Sequence, residues 1–265
     1  MRREGAFTVV ELLVVVVIIA ILLTITVPAV GRYLSEGRKT KEITAARKII
    51  ASYLMYSSEH DGNLMAGYRQ EEARDSGGAT LSFPANARYP WRLAPYLDFD
   101  MHAILFNGNE SALHDQVDFH YAASVAPNLG MNTTFVGGDY GTGSDLVPSA
   151  KASARYGPFC VTKLLQASKP DRLMVFVSAR RGKKQPGFYQ VKSPSFTSER
   201  WSGKWNPEAP AEAFGYVDLR YNDKAVAAML DGHVEMLDED GVKDMRHWSN
   251  QAAEQDDAKY SLTKK

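Results

Sequence analysis

At 265 residues, the chain is long enough for one well-filled globular domain with an additional element. Lys and Arg number 31 and so do Asp and Glu, so no net field draws the protein to nucleic acid or another polyanion. The single cysteine, Cys160, excludes an intramolecular disulfide framework, and beside Pro158 and Phe159 it reads as a small buried apolar residue.

The chain opens with two arginines, Arg2 and Arg3, followed by an apolar segment. Residues 12–23 are all apolar, and Thr24, Ile25, Thr26 and Val27 extend the run to about the length that crosses a hydrocarbon core of roughly 30 Å. The positive-inside bias would hold the arginine end in the cytoplasm and place everything after Pro28 on the far side. A secretory signal and a simple signal anchor share the basic start and the apolar core. Neither accounts for Glu11 at the front edge of the run, since a carboxylate in lipid costs several kcal/mol unless it finds a partner, about 3 kcal/mol even on the most lenient scales.

The run Gly5-Ala6-Phe7-Thr8-Val9-Val10-Glu11-Leu12-Leu13 resembles the processing and methylation motif of type IV prepilins and pseudopilins. That resemblance implies cleavage on the cytoplasmic side by a prepilin peptidase, N-methylation of the new terminal residue and retention of the apolar helix. In that family Gly directly precedes Phe, whereas here Ala6 intervenes. Cleavage between Ala6 and Phe7 makes Glu11 the fifth mature residue, matching the family spacing; cleavage after Gly5 makes it the sixth. The first is preferred, and Pro28, twenty-one residues past Phe7, supports that register. A new α-amino group at Phe7 would be a cation in an apolar setting, which Glu11 of an adjacent subunit could neutralise. Pro28 removes one helical N–H, so a kink or local melting is expected near residues 24–28.

Past Pro28, Ile43, Ala46, Ile50, Tyr53 and Leu54 recur at helical spacing, while Arg38, Lys39, Lys41, Glu42, Arg47 and Lys48 fall mostly on other faces. One helix is expected over residues 7–59, stopped by His60-Asp61-Gly62-Asn63. Residues 64–87 read as a polar loop, 91–97 as a short helix, 137–144 as a Gly-rich loop and 161–166 as a helical turn. Strand-like runs follow at 172–178, 187–191, 214–220, 225–230 and 234–237. The fold expected is α+β: a long helix, transmembrane and then amphipathic, on a C-terminal antiparallel sheet. Its divisions are a leader at 1–6, a transmembrane filament-core helix at 7–30, an amphipathic continuation at 31–63 and an exported head at 64–265.

Towards the C-terminus, residues 221–234 are similar to a signature of long pseudopilin-like proteins, a His, nine intervening residues and then Asp-Gly. Tyr221 stands where that His is expected, before Asp231-Gly232-His233. From the residues alone, Asp231, Gly232 and His233 between two strand-like runs form a hairpin turn. Residues 121–132 and 169–176 also resemble the middle of such proteins.

His114, Asp115, Asp118 and His120 match no strong metal spacing, and Asp139 and Asp145 offer oxygen ligands for calcium in a loop with too few alternating acids. Neither a metal nor a cofactor is expected. The sequence has no Gly-x-Ser-x-Gly elbow and no phosphate-cradling loop, so an enzyme is not expected. Trp201, Trp205, Phe214 and Tyr216 are expected to pack around an ordered loop. Two functions stay open: a structural subunit of a type IV pilus-like or type II secretion pseudopilus filament, and a binding module mounted on a membrane or filament. The first implies as partners other pilin-like subunits, a prepilin peptidase and an inner-membrane assembly platform. The implied location is the bacterial inner membrane, crossed once with a periplasmic head, and then a periplasmic or extracellular filament.

Overall fold

The computed structural model describes residues 8–105, 119–141, 147–183, 185–196, 199–201 and 203–262. They fall into two compact units, Met1–Thr40 and Lys41–Lys265. Helix α1, Val9–Glu59, supplies the described structure of the first unit beyond Thr8 and enters the second. It ends where Gly62 adopts a φ of +76° and its N–H reaches the Ser57 carbonyl at 2.8 Å, the left-handed cap that the sequence suggests.

In the second unit, four antiparallel strands form the sheet: β1 (Leu129–Met131), β2 (Met174–Ser178), β7 (Lys224–Met229) and β8 (Val234–Asp238), in that spatial order. Two small hairpins, β3 (Arg180–Gly182) with β4 (Gln185–Pro186) and β5 (Ser195–Phe196) with β6 (Glu199–Arg200), lie outside it. The short helices are α2 (Tyr89–Leu93), α3 (Phe119–Val125), α4 (Ala150–Tyr156), α5 (Glu239–Lys243) and α6 (Asn250–Gln255).

Strand β7 explains the layering. Val226 and Ala228 point to one core, with Ala45, Ala46, Ile49, Ile50 and Tyr53 of α1, whereas Ala225, Ala227 and Met229 point to another, with Val242, Met245 and Trp248. The period-2 alternation therefore buries both faces of the strand, which is why it reads as a continuous apolar run. On the α1 side, Tyr53 meets Phe176 edge-to-face at 5.5 Å and donates its hydroxyl to the Met65 carbonyl at 3.0 Å. On the other, the fully buried Trp248 donates its indole N–H to the Val242 carbonyl at 2.8 Å.

The expected α+β architecture, a long helix on an antiparallel sheet, is present; the C-terminal layer covering the second face was not anticipated. Two expected strands are absent among the described residues. At 187–191 the pairing is a single bridge from Gln190 to Met131. At 214–220 the chain turns left-handed at Gly215 and Tyr216 (φ +59° and +66°), and one bridge, Val217 to Ala179, remains. A Cβ on Gly215 would lie 2.1 Å from the Lys192 carbonyl oxygen, so the turn is bound to glycine by contact as well as by φ. Trp201 and Phe214 stack near this turn with centroids 4.2 Å apart, and Phe188 and Tyr216 at 4.3 Å.

Candidate functional site

The expected cleavage residues Gly5, Ala6 and Phe7 lie outside the described residues. Just after them, Thr8 and Glu11 form a capping box. The Thr8 N–H and hydroxyl each donate to Glu11 Oε2 at 2.8 Å, and the Glu11 N–H reaches Thr8 Oγ1 at 3.3 Å. Within a single chain, the Glu11 carboxylate is thus engaged by the orphan donors of its own helix end. The T-x-x-E spacing announces this arrangement in the sequence, alongside the pairing with a neighbouring subunit expected for Glu11.

Beyond the cap, the apolar side chains from Val9 to Leu23 are exposed, Val9 at 81% and Ile18 at 51%. The run is apolar on all sides, a pattern that suits an apolar surround or burial by other copies. Among the described residues, no helix is long and apolar enough to cross a membrane. The side chains of 25–30 fall outside the description, and 9–24 alone would reach about 24 Å at 1.5 Å per residue. The backbone is helical through residues 24–28, Pro28 included, where a kink or local melting is expected, and Thr24 returns its hydroxyl to the Ile21 carbonyl at 2.7 Å.

A second polar constellation sits inside the second unit. Glu42 is fully buried on the α1 stripe that carries Ala45, Ala46, Ile49 and Ile50, a correction to its expected place on another face. Its carboxylate accepts the Ser178 hydroxyl at 2.5 Å and the Tyr221 hydroxyl at 2.6 Å, and Arg220 Nη1 stands 3.7 Å away. Ser178 Oγ also accepts the Val226 N–H at 2.9 Å, and Arg220 Nε lies 3.0 Å from Asp218. Burial alone would lower the Arg220 guanidinium; the carboxylates of Glu42 and Asp218 outweigh it and hold it above its ordinary value. One carboxylate thus joins α1 to β2 and to the chain entering β7. Tyr221, at the position where the resembled signature has His, delivers a hydroxyl to this carboxylate.

Asp231, Gly232 and His233 occupy the connection between β7 and β8. Gly232 has a φ of +97°, and Asp231 Oδ1 lies 3.0 Å from the His233 N–H and 2.6 Å from its Nδ1. Asp139 accepts the Gly141 N–H at 2.9 Å and the Gln190 amide at 3.0 Å, while Asp145 lies outside the described residues. His114, Asp115 and Asp118 also lie outside them, and His120 faces Asp75 at 3.2 Å. No group of three or more His, Cys, Asp or Glu is placed to hold a metal among the described residues. Cys160 is half-buried beside Tyr156, Phe159 and Leu262, and burial pushes its thiol up, away from the reactive thiolate.

Residues 1–27 match the family described as the prokaryotic N-terminal methylation motif. The match agrees with the resemblance to type IV pilin-like and pseudopilin chains, whose members are structural subunits processed by a prepilin peptidase. Neither the curated proteins nor the solved structures give a match.

Proposed function

We propose that the chain is a structural subunit of a type IV pilus-like or type II secretion pseudopilus filament, and not an enzyme. The observation that carries this is the methylation motif at residues 1–27, set on a helix whose apolar side chains stand exposed from Val9 to Leu23. On this reading a prepilin peptidase removes residues 1–6 and methylates Phe7. Residues 7–30 hold the subunit in the inner membrane, with the remainder in the periplasm, until an assembly platform extracts it into a periplasmic or extracellular filament. Other pilin-like subunits then cover the apolar helix in place of lipid, which keeps that surface out of water once the subunit leaves the membrane. Glu11 neutralises the new amino group of a neighbouring Phe7, and Pro28 adjusts the helix path within the bundle.

Intact mass and N-terminal sequencing of the protein from membranes of cells with and without a prepilin peptidase test the reading. A chain beginning at methylated Phe7 only when the peptidase is present is expected. A full-length chain in both strains, or one cut after the apolar run, would overturn it; a start at Ala6 would move Glu11 to the sixth mature position.

A further inference from the structure

An open groove of about 370 Å³ lies in the head, away from the Glu42 constellation, and its size falls within the range of about 300–1,000 Å³ usual for small-ligand sites. Its walls carry four aromatic rings, Tyr68, Phe83, Tyr140 and Tyr189, with Arg88, Asp139 and Gln70 between them. Main-chain pairing fixes the frame. Tyr68 bridges to Arg88 on one side and to Asp139 on the other, the Arg69 N–H reaches the Ala87 carbonyl at 2.8 Å, and the Tyr140 N–H reaches Tyr68 at 2.7 Å.

Both charges in the groove are held in place without an ion-pair partner among the described residues. The Arg88 guanidinium lies between the rings of Tyr121 and Tyr189, 5.0 and 5.1 Å from their centroids, and donates to Ser124 Oγ at 2.9 Å; its Nε has no hydrogen-bond partner. The Asp139 carboxylate is aimed by the Gly141 N–H and the Gln190 amide and retains free lone pairs on both oxygens. A fixed cation and a fixed anion in one groove disfavour a ligand of strong net charge of either sign. They suit a neutral ligand dense in groups that both donate and accept hydrogen bonds, and the aromatic faces suit one with flat C–H surfaces. A pyranose ring has both properties. A peptide adding as a strand finds Tyr68 already paired on its two sides.

We propose that this groove is a saccharide-binding site, taking neutral pyranose units of a polysaccharide with Asp139, Arg88 and Gln70 on the hydroxyls and the tyrosine rings against the sugar faces. The inference concerns the head alone and holds whether or not the chain assembles.

The test is calorimetric titration of the full chain in detergent with cellotetraose, maltotetraose and chitotetraose. A galacturonic acid tetramer, a glucosamine tetramer and a tyrosine-rich peptide serve as charged and peptide comparators. Binding of at least one neutral tetrasaccharide at millimolar or lower concentration is expected, weakened at least about tenfold by Asp139→Asn and by Tyr140→Ala, as for loss of a charged hydrogen bond or a stacked ring. Phe83→Ala, at a ring 58% exposed, should weaken it with an unchanged melting temperature, which keeps the test valid if an inner variant fails to fold. Leu165→Ala, at a side chain 98% exposed and outside the groove, should bind as the parent does. No binding by any neutral tetrasaccharide, binding untouched by the groove variants, or tighter binding of a charged tetramer or the peptide would each overturn the proposal.

Discussion

Glu42 shows how a single residue can carry more structural weight than its apolar neighbours. A fully buried carboxylate is tolerated only when its lone pairs are taken up, and here Ser178, Tyr221 and Arg220 surround it. The network ties α1 to the sheet, so weakening it should lower the stability of the head rather than alter a surface. Tyr221→Phe removes one hydrogen bond to a charged acceptor and should cost about 1.5–3 kcal/mol. Glu42→Ala leaves a cavity and strips Arg220 of one of its two carboxylates, and should cost about 3–5 kcal/mol. Urea unfolding of the full chain in detergent gives both values, and the double variant should cost less than their sum because the two side chains share one interaction. Additive costs would show that Tyr221 and Glu42 act independently.

At the scale of elements, glycines fix two turns for different reasons. Gly232, between β7 and β8, has a φ of +97°, but a Cβ there would meet only Leu54 Cδ1 at 3.4 Å, the end of a flexible side chain. Gly215 has a left-handed φ and, in addition, the Lys192 carbonyl at 2.1 Å from any Cβ. Gly232→Ala should therefore cost somewhat more than about 1 kcal/mol, whereas Gly215→Ala must shift backbone and should cost several times as much. Melting temperatures of the two variants would rank them, and the reverse order would mean that the loop at 215 gives way freely. The same contrast shows what the sequence could convey. The Asp-Gly turn and the runs around it are local signals, so β2, β7, β8 and the extent of α1 were legible. The break at 214–220 depends on a carbonyl twenty-three residues earlier in the chain, and an apolar run there reads as a strand. The groove was equally hidden: Tyr68, Arg88 and Asp139 come together through single bridges between distant segments, and Tyr189 adds a ring beside Tyr68 from a further one. Glu42 was misplaced because charge outweighed helical phase, although it sits four residues before Ala46 on the buried stripe.

Across the whole molecule, the division at Thr40 and Lys41 separates two sets of consequences. Substitutions at Glu42, Tyr221, Gly215 or Gly232 concern the stability of the second unit, whereas Glu11 belongs to the first and should leave head stability unchanged. Two roles compete for Glu11, the cap of its own helix, which the Thr8 hydrogen bonds provide, and the charged partner of a neighbouring subunit, which the filament reading requires. Glutamine separates them, because its carbonyl oxygen accepts the same bonds from Thr8 while carrying no charge. Glu11→Gln should keep the cap, the processing at Phe7 and the melting temperature of the head, yet lose filaments, as read by cross-linked ladders of subunits in sheared cell-surface and periplasmic fractions. Glu11→Ala should lose filaments too and, in addition, fray the first turn, with a loss of about 0.3–1 kcal/mol in helix stability. If Glu11→Gln assembles as the parent does while Glu11→Ala does not, hydrogen bonding alone is what assembly requires of this residue, and a charge pairing with the neighbouring Phe7 amine has no part in it.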